Sequence, residues 1–426
     1  MKRSLLILAF ALSPLLAPGQ GTVTYSGEIT DANNITSRIT QQVTTRVRRT
    51  TSQGDPKATL PYKQTPQFWA VPLAESLMAR YPDYRYAYWK DYSYVHGYAI
   101  EALLRLHVLT GETRYLDYVV RYLDNFIDDS GNYKGDQLTN LDNFMTGSAY
   151  CSLFHLTGEE KYRTAALQIL SAVEGYPSSD GQFWHNNRLP NMWIDGVFMM
   201  QMFLTRCAEY VGERDRCLDI ATRNVLAAAR HLQREDGLLL HAWTTKPEEA
   251  DWADPSTGLS PEVWSEGMGW YALLLPELLE AVTPSHPSYR EVLDVYRKMA
   301  QGIRQYQDGN TGGWFMVVDK GTNAMNFVDP SGTAMFTYSI QRGIDLGLLK
   351  EKDYAKVARR GYDCLRDFIK VNSNGLLDIL GGCDGVSIKP DFLTYVTVPK
   401  MVNAKETVIG VLWAGIIMEK EQIASR

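Results

Sequence analysis

The chain has 426 residues, of which 45% are hydrophobic and 22% are charged. This is an ordinary globular composition, with enough apolar material for one large core or two modest ones. The formal net charge is −6, and it becomes −8 when the two positive charges of Lys2 and Arg3 are left out, so nucleic acids and anionic membrane surfaces are poor candidates as partners.

Residues 1–20 have the pattern of a cleaved secretory signal. Lys2 and Arg3 precede an apolar run over residues 5–16, and small residues follow. The run is shorter than the roughly 20 residues that span a bilayer, which disfavours an uncleaved anchor. The first cysteine is Cys151, which disfavours a lipid-anchored protein. We therefore expect a mature protein without a membrane attachment, in the periplasm or alternatively outside the cell.

The five cysteines are scattered and have neither the spacing of a disulfide scaffold nor that of a zinc site. Only Cys207 and Cys217, on either side of a predicted helix connection, are placed so that they could pair. The others are expected to be small buried hydrophobic residues.

Residues 21–60 are rich in Thr, Gln and Arg and are interpreted as an arm or one surface helix. Their thin apolar stripe has a four-residue spacing, at Ile35, Ile39, Val43 and Val47. Residues 61–426 form the predicted main domain, in which helical segments are joined by two recurring kinds of connector. One resembles Thr110-Gly111-Glu112, and the other ends a helix at glycine, as in Ser130-Gly131.

The helical segments alternate between two classes. Amphipathic segments, predicted to form an outer layer, lie near residues 66–80, 113–128, 159–175, 213–233, 286–306 and 351–371. Segments that are apolar nearly all round, predicted to form an inner layer, lie near residues 95–109, 145–156, 194–210, 268–282, 331–347 and 406–419. Twelve helices paired as hairpins, with no convincing strand, predict an all-α closed ring in two layers. The alternative, an open solenoid, would need polar capping repeats, whereas the last helix is strongly apolar.

Helices that alternate in direction place the N-termini of all inner segments at one end of the ring, where two aspartates are candidates for catalysis. Asp195 lies in a first turn beside Trp193 and Phe198 in the sequence, and its alternative role is only to stabilise the helix dipole. If burial prevails over the dipole, its pKa rises and it can act as a general acid. Asp142 has the corresponding place one hairpin earlier, where it could equally be an N-cap. Two carboxyl groups in one pocket would push their pKa values apart.

Two histidines and a tryptophan-rich stretch are further candidates. His185 and His241 follow the glycine connectors of successive repeats, each beside a Trp, and both a substrate-binding and a structural role stay open. The stretch Trp264–Tyr271 offers faces for stacking on a sugar, with helix packing as the alternative. The sequence contains no Gly-rich phosphate loop, no Gly-x-Ser-x-Gly elbow and no His/Glu metal helix. Carboxylate chemistry on a sugar is what remains.

Seven motifs follow one another from about residue 89 to the C-terminus. They are Leu141–Asn143, Met192–Asp195, Leu240–Trp243, Trp264–Tyr271, Gly313–Asp319, Asp329–Phe336 and Asn403–Glu406. In this order they resemble glycoside hydrolase family 105, the unsaturated rhamnogalacturonyl hydrolases, which are related to the unsaturated glucuronyl hydrolases of family 88. The resemblance implies an (α/α)6 barrel, in agreement with the hairpin pattern.

The resemblance also implies a reaction. Polysaccharide lyases leave a terminal uronic acid with a C4=C5 double bond, and these families add water across that vinyl ether. Asp195 would protonate C4 and assist the attack of water at C5, after which the hemiketal opens and releases the unsaturated sugar. The expected partner is therefore an oligosaccharide with an unsaturated uronic acid at its non-reducing end, and no metal or organic cofactor is needed.

Further roles follow from the same resemblance. Asp142 would hold sugar hydroxyls and tune the catalytic residue. The other residues expected to line the subsite are His185, His241, Trp193, Trp264, Trp270, Glu266 and Asn143. Many relatives carry Arg at the position of Glu266, and Arg suits a uronate carboxylate, whereas Glu266 would repel it unless it is protonated or paired.

Two other classes of function stay open at this point. One is another (α/α)-toroid glycosidase or a polysaccharide lyase, and a lyase would create the ultraviolet absorbance of the double bond that the favoured reaction consumes. The other is a non-catalytic glycan-binding relative, for which Glu266 is the only hint in the sequence. A monomer or a weak dimer is expected.

Overall fold

A computed structural model of the protein describes residues 21–30, 36–45, 59–88 and 91–425. The chain divides into two compact units, residues 1–52 and residues 53–426. The predicted signal segment, residues 1–20, lies outside the described residues.

The first unit contains an antiparallel hairpin of two strands, β1 (Gly21–Thr30) and β2 (Thr36–Thr45). The interpretation of this stretch as a surface helix is therefore wrong over both strands. β-Branched Thr and Val recur along them and favour an extended backbone, and this preference outweighs the four-residue apolar spacing. The extent of the arm, residues 21–60, stays a prediction.

The second unit is built from helices in two layers. The outer helices are α1 (Ala70–Arg80), α3 (Thr113–Leu123), α6 (Glu160–Ser171), α8 (Arg214–Leu232), α10 (Tyr289–Gln305) and α12 (Glu351–Leu365). The inner helices are α2 (Tyr94–Thr110), α5 (Gly147–Thr157), α7 (Ile194–Tyr210), α9 (Ser265–Ala281), α11 (Pro330–Asp345) and α14 (Lys405–Met418). Shorter helices in the described part are α4 (Asp142–Met145), α13 (Phe392–Val396) and α15 (Lys420–Ala424).

The inner helices form a closed ring. Each packs on the next inner helix in chain order, and α14 packs back on α2. This arrangement, an all-α (α/α)6 barrel, confirms the predicted ring and excludes the open solenoid. Neighbouring helices cover the inner helices on all sides, which explains why their sequences are apolar nearly all round. In α14, for example, every residue from Lys405 to Ile417 is buried. The outer helices α3 and α10 bury one face only.

Glycines in the left-handed conformation end two inner helices at the predicted connectors. Gly111 follows α2 with φ 69°, and Gly158 follows α5 with φ 72°. Residues with a side chain rarely adopt this conformation. The hydroxyl of Thr110 accepts a hydrogen bond from the amide of Glu112 at 3.1 Å, and Thr157 makes the same contact one hairpin later. The repeated Thr-Gly-Glu link is therefore a helix stop.

Short strand pairs lie in the connectors, and the sequence analysis did not predict them. They are β3 (Ser178–Ser179) with β4 (Gln182–Phe183), β5 (Asn191–Trp193) with β6 (Ala242–Thr244), β7 (Ile369–Val371) with β8 (Leu377–Ile379), and β9 (Gly382–Cys383) with β10 (Lys400–Met401). Strands of two or three residues are too short to show an alternating pattern. The pair β5–β6 nevertheless positions the candidate site.

All five cysteines lie in the described part of the chain, and they are buried and free. Cys207 and Cys217 are therefore not bridged, although their positions in the sequence allowed it. No helix among the described residues is long and apolar enough to cross a membrane.

A buried charge network joins the C-terminal ends of the inner helices. Glu277 on α9 accepts hydrogen bonds from Arg105 and Tyr338, each at 2.6 Å, and it also pairs with Arg206 and Arg342. Burial raises the pKa of Glu277, but its arginine partners lower it more, so that it lies well below the ordinary value. A cavity of 680 Å³ beside this network contains none of the candidate site residues.

Candidate active site

A cavity of 120 Å³ lies at the opposite end of the ring, where the inner helices begin. Its walls are formed by Tyr94, Asp142, His185, Trp193, Asp195, Met199, Trp264, Glu266, Trp270, Gly385, Val386 and Ser387. The structure thus brings together seven of the nine candidate residues. The first turns of the inner helices direct their side chains, and the positive ends of their dipoles, into this space.

A backbone contact brings His241 to Asp195. β5 pairs with β6, and the amide of Ile194 donates a hydrogen bond to the carbonyl of His241 at 2.9 Å. Asp195 is the next residue in the chain, and its Oδ1 lies 3.7 Å from His241 Nε2. This distance is that of a charge contact and exceeds a hydrogen bond. On its other side, His241 Nδ1 lies 2.6 Å from the hydroxyl of Tyr395.

The hydroxyl of Tyr395 sets the tautomer of His241. Its oxygen accepts the backbone amide of Lys389 at 3.2 Å, so that its own proton is directed to His241 Nδ1. We therefore assign the imidazole proton to Nε2, the nitrogen that faces Asp195. His241 is 0% exposed and is not one of the residues that line the cavity. It lies behind Asp195.

Asp142 and His185 form the equivalent pair one hairpin earlier. The amide of Leu141 donates to the carbonyl of His185 at 2.9 Å, and His185 Nε2 lies 3.9 Å from Asp142 Oδ2. The ring of His185 stacks on Trp193, with centroids 4.1 Å apart and planes 4° apart. Gly196 permits this close approach, because a Cβ at that position would lie 2.6 Å from His185 Nδ1.

Neighbouring histidines set the charge of Asp195. Burial raises the pKa of its carboxyl group, but the neighbouring imidazoles of His241 and His185 lower it more, so that it lies below its ordinary value. Burial lowers the pKa of His241 in spite of its acidic neighbour. In the free protein, Asp195 is therefore a carboxylate that faces a neutral imidazole N–H. The expectation that burial raises the pKa of Asp195 is therefore not met in the free protein.

A second carboxyl group in the cavity has the opposite tendency. Glu266 lies in the first turn of α9 and is 2% exposed. Burial raises its pKa well above the ordinary value, and the nearby carboxylates of Glu406 and Asp329 raise it further. Glu406 accepts a hydrogen bond from the hydroxyl of Tyr94 and pairs with Lys405 at 2.9 Å. The cavity therefore holds one carboxyl group with a lowered pKa and one with a raised pKa.

Several buried polar atoms around the cavity have no hydrogen-bond partner in the described part of the chain. They are Asp195 Oδ1, His185 Nδ1, Trp193 Nε1, Trp264 Nε1 and Glu406 Oε2. An unpaired buried polar group costs about 1–3 kcal/mol. A ligand with many hydroxyl groups can satisfy such atoms as donor and as acceptor, while the flat Trp faces suit a pyranose ring.

Two of the nine candidate residues do not line the cavity. Asn143 donates its side-chain amide to the carbonyl of Gln137, and His241 lies behind the wall. Trp270 does line it, and it also packs on Tyr98 with ring centroids 4.6 Å apart. Trp270 therefore takes part in helix packing and is also open to the cavity, and its stacking on a sugar stays a prediction.

Sequence reasoning missed Tyr94 and Met199, residues 385–387 in the cavity wall, and Tyr395 behind it. A signal did exist for Tyr94, because it is the first residue of an inner helix and so has the same rim position as the predicted residues. Residues 385–387 and Tyr395 carried no such signal. They lie in the connector before α14, and only the closed ring brings them to the site.

Comparison with known proteins decides the family. The profile of glycosyl hydrolase family 88 matches residues 69–422, which is most of the chain. The chain belongs to glycosyl hydrolase family 88. The resemblance described above, to the unsaturated uronyl hydrolases of families 88 and 105, is thereby confirmed.

Solved structures agree with the fold of this family 88 protein. It is similar to a family 105 glycoside hydrolase from C. acetobutylicum, with a TM-score of 0.76, 25% identity, and coverage of 83% of this chain and 99% of that one. It is also similar in fold to the unsaturated glucuronyl hydrolase from Bacillus sp. GL1, with a TM-score of 0.62, 15% identity, and coverage of 82% and 95%. Among named relatives, the unsaturated 3S-rhamnoglycuronyl hydrolase from Alteromonas sp. (strain LOR) is 24% identical over 193 residues, which is 44% of either chain.

Proposed function

We propose that this protein releases a terminal 4,5-unsaturated uronic acid from oligosaccharides that polysaccharide lyases produce. The observation that carries the proposal is Asp195, a carboxylate with an unpartnered oxygen in a cavity walled by Trp rings and backed by His241. The cavity of 120 Å³ is smaller than the roughly 300–1,000 Å³ of drug-sized sites. It suits one terminal sugar, which favours this activity over an endo-acting glycosidase or a lyase.

In the proposed reaction, protonated Asp195 donates its proton to C4 of the vinyl ether. Positive charge develops at C5 and the ring oxygen, and water attacks C5. The Asp195 carboxylate then takes the proton that this water releases. The net change is the addition of H to C4 and OH to C5, which gives a hemiketal that opens and frees the rest of the oligosaccharide.

Substrate binding supplies the condition under which Asp195 takes up a proton. The pKa of its carboxyl group is lowered in the free protein. A bound uronide brings its own carboxylate into the cavity and excludes water, and both changes raise the pKa of a neighbouring carboxyl group. Asp195 therefore becomes an acid only when substrate is present.

The other residues of the cavity hold the sugar in this proposal. Asp142 accepts hydrogen bonds from ring hydroxyls, and the free Nδ1 of His185 and Nε1 of Trp193 supply further polar contacts. Trp264 and Trp270 provide apolar walls. The site needs no metal or organic cofactor for this chemistry.

An absorbance assay tests the proposed function. The protein is incubated with lyase products from pectin, ulvan and glycosaminoglycans, and the ultraviolet absorbance of the C4=C5 double bond is followed. We expect the absorbance to disappear with at least one of these substrates. A rise of absorbance on intact polysaccharide would show a lyase instead, and binding without any change would show a non-catalytic glycan-binding protein.

The contact between Tyr395 and His241 leads to a further prediction. We expect Tyr395→Phe to lower kcat about fivefold, the equivalent of one hydrogen bond of about 1 kcal/mol, with KM unchanged. The pH profile of kcat shifts as well, because His241 is no longer held in one tautomer. Tyr271→Phe is the matched control, since it removes a buried hydroxyl that donates to the carbonyl of Val225 at 2.9 Å, away from the cavity. Equal kcat values and pH profiles for Tyr395→Phe and the wild type would contradict the prediction.

We also propose that the mature protein works in the periplasm as a monomer or weak dimer. The secretory pattern of residues 1–20 supports the location. Cell fractionation and size-exclusion chromatography test the two statements separately.

A further inference from the structure

The charge of the cavity wall is at odds with an anionic substrate. The proposed uronide carries a carboxylate on C5, next to the reacting double bond. The wall supplies the carboxyl groups of Asp142, Asp195 and Glu266, and none of its described residues is Lys or Arg. Among the described wall residues, a carboxylate must therefore be recognised without a lysine or an arginine, and the imidazole of His185 already approaches Asp142 at 3.9 Å.

The surroundings of Glu266 show which group can do so. The titratable or charged groups that interact with it or flank it are Glu406 and Lys405 of α14, Asp329 at the start of α11, Tyr94 and Tyr98 of α2, and Cys383 of β9. The charge of Lys405 is used by its pairs with Asp384 and Glu406. A cluster with three carboxyl groups and one amine, all withdrawn from water, favours retention of a proton on one carboxyl group.

Hydrogen bonds decide which carboxyl group of the cluster keeps that proton. Asp329 accepts from the hydroxyl of Ser265 at 2.6 Å and from the amide of Ser331 at 3.1 Å. Glu406 has the hydroxyl of Tyr94 and the amine of Lys405. Asp329 and Glu406 thus each have two donors or a donor and a cation beside their oxygens. Among the described residues, the donor beside Glu266 is the hydroxyl of Ser331, which also donates to Asp329. Glu266 therefore has the weakest set of donors of the three carboxyl groups, and as the one that faces the cavity it keeps the proton.

We propose that Glu266 recognises the C5 carboxylate of the unsaturated uronide by donating the proton of its own carboxyl group in a hydrogen bond. The inference rests on the proposed function and names the residue that selects its substrate. A carboxylic acid bound to a carboxylate forms a short, charge-assisted O–H···O⁻ contact, which serves the purpose that a cation would otherwise serve. It differs from an arginine contact in one respect, because the interaction depends on pH.

The direction of that dependence follows from the chemistry. Below the pKa of Glu266 the donor is present, and above it two carboxylates face each other and repel. We therefore expect KM for the uronide to rise on the alkaline side. Loss of the Asp195 proton at alkaline pH lowers kcat instead. Measuring KM and kcat separately therefore distinguishes the effect of Glu266 from that of Asp195.

The experiment compares Glu266→Gln, Glu266→Ala and the wild type from acid to alkaline pH. Glutamine keeps a donor but does not titrate, so we expect Glu266→Gln to have nearly wild-type kcat and a KM that no longer rises on the alkaline side. Alanine removes the donor, and KM is expected to rise about 10- to 100-fold at all pH values. Glu262→Gln is the matched control. Glu262 is a buried carboxyl group just before α9 that pairs with Lys320 at 2.5 Å and does not line the cavity.

A binding measurement separates this inference from the proposed function. Calorimetric titration of the uronide into Asp195→Asn protein, with and without Glu266→Gln, reports recognition without turnover. If the wild type fails to consume the double bond but binding still weakens at alkaline pH through Glu266, only the proposed reaction is wrong. If the double bond is consumed and neither Glu266 variant changes KM or its pH dependence, the inference is overturned.

Two other outcomes would also overturn it. A Glu266→Gln protein with wild-type KM and no measurable kcat would make Glu266 a proton-transfer group. A KM effect found only in Lys389→Met would place carboxylate recognition at the rim, where Lys389 donates to the hydroxyl of Ser387 at 3.1 Å.

Discussion

Replacing Asp195 by asparagine is expected to lower kcat on the order of 10³-fold while KM stays within about threefold of the wild-type value. Asparagine keeps the shape of the side chain and its contact with His241 Nε2. It can neither deliver a proton to C4 nor take one from water, so only the chemical step suffers. The measurement is the initial rate of loss of double-bond absorbance, on protein whose circular dichroism matches the wild type.

A second Asp–His pair outside the cavity provides the control. Asp180 lies 2.8 Å from His231, which stacks on Trp243 with centroids 3.7 Å apart. Asp180 is 65% exposed, and its φ of 50° is a conformation that asparagine tolerates. We expect Asp180→Asn to keep wild-type activity. An Asp195→Asn protein that retained more than about a tenth of the wild-type kcat would reject the catalytic role of Asp195.

At the other end of the barrel, Glu277→Gln is expected to lower the free energy of unfolding by about 3 kcal/mol. The substitution is nearly isosteric, so its effect comes from charge. Arg105 and Arg206 lose the carboxylate that accepts their hydrogen bonds, and their positive charges stay in a buried site. Breaking a buried pair on one side is costly because the remaining charge is left uncompensated. Urea unfolding followed by tryptophan fluorescence measures the change.

Glu280→Gln is the control for this prediction. Glu280 is 39% exposed, and its pair with Arg342 lies at the edge of the same network. Its loss is expected to change the free energy of unfolding by less than about 0.5 kcal/mol. Equal effects of the two substitutions would contradict a central role for Glu277.

The effect of Glu277→Gln should also depend on pH in one direction. The pKa of Glu277 is depressed in the folded protein. Its contribution is therefore complete above the ordinary pKa of Glu, about 4.3, and is lost as the pH falls below that value. The stability difference between the variant and the wild type is expected to stay constant from neutral pH to about pH 5 and to shrink below about pH 4.

The ring of hairpins could be predicted because its signals are local. A helix such as α14 that is apolar on every side can only be central, and a Thr-Gly-Glu link stops a helix wherever it occurs. The paired positions of His185 and His241 could be predicted for the same reason, since repeats place equivalent residues in equivalent contacts. In both repeats, the backbone carbonyl of the histidine accepts a hydrogen bond from the amide of the residue just before the aspartate.

The electrostatics of the site could not be predicted, because they depend on contacts between distant parts of the chain. Tyr395 meets His241 across 154 positions. The sequence suggested that Asp142 and Asp195 would be the two carboxyl groups with divergent pKa values. The structure assigns the raised pKa to Glu266 instead, because the closed ring buries this side chain and also brings Glu406 beside it. The outcome for Asn143 has a different and local cause, because its side-chain amide donates to the loop carbonyl of Gln137, which is close in the sequence.

Closure of the ring by its last inner helix has a consequence for biogenesis. Glu419, which directly follows α14, accepts the amides of Trp69 and Ala70 at 2.9 and 3.0 Å, across about 350 positions of sequence. The residue that follows the last barrel helix therefore caps the N-terminus of the first one. A nascent chain that has not yet supplied α14 leaves the apolar faces of α1 and α2 uncovered, where chaperones and proteases act. Folding of the barrel thus waits for nearly the whole polypeptide.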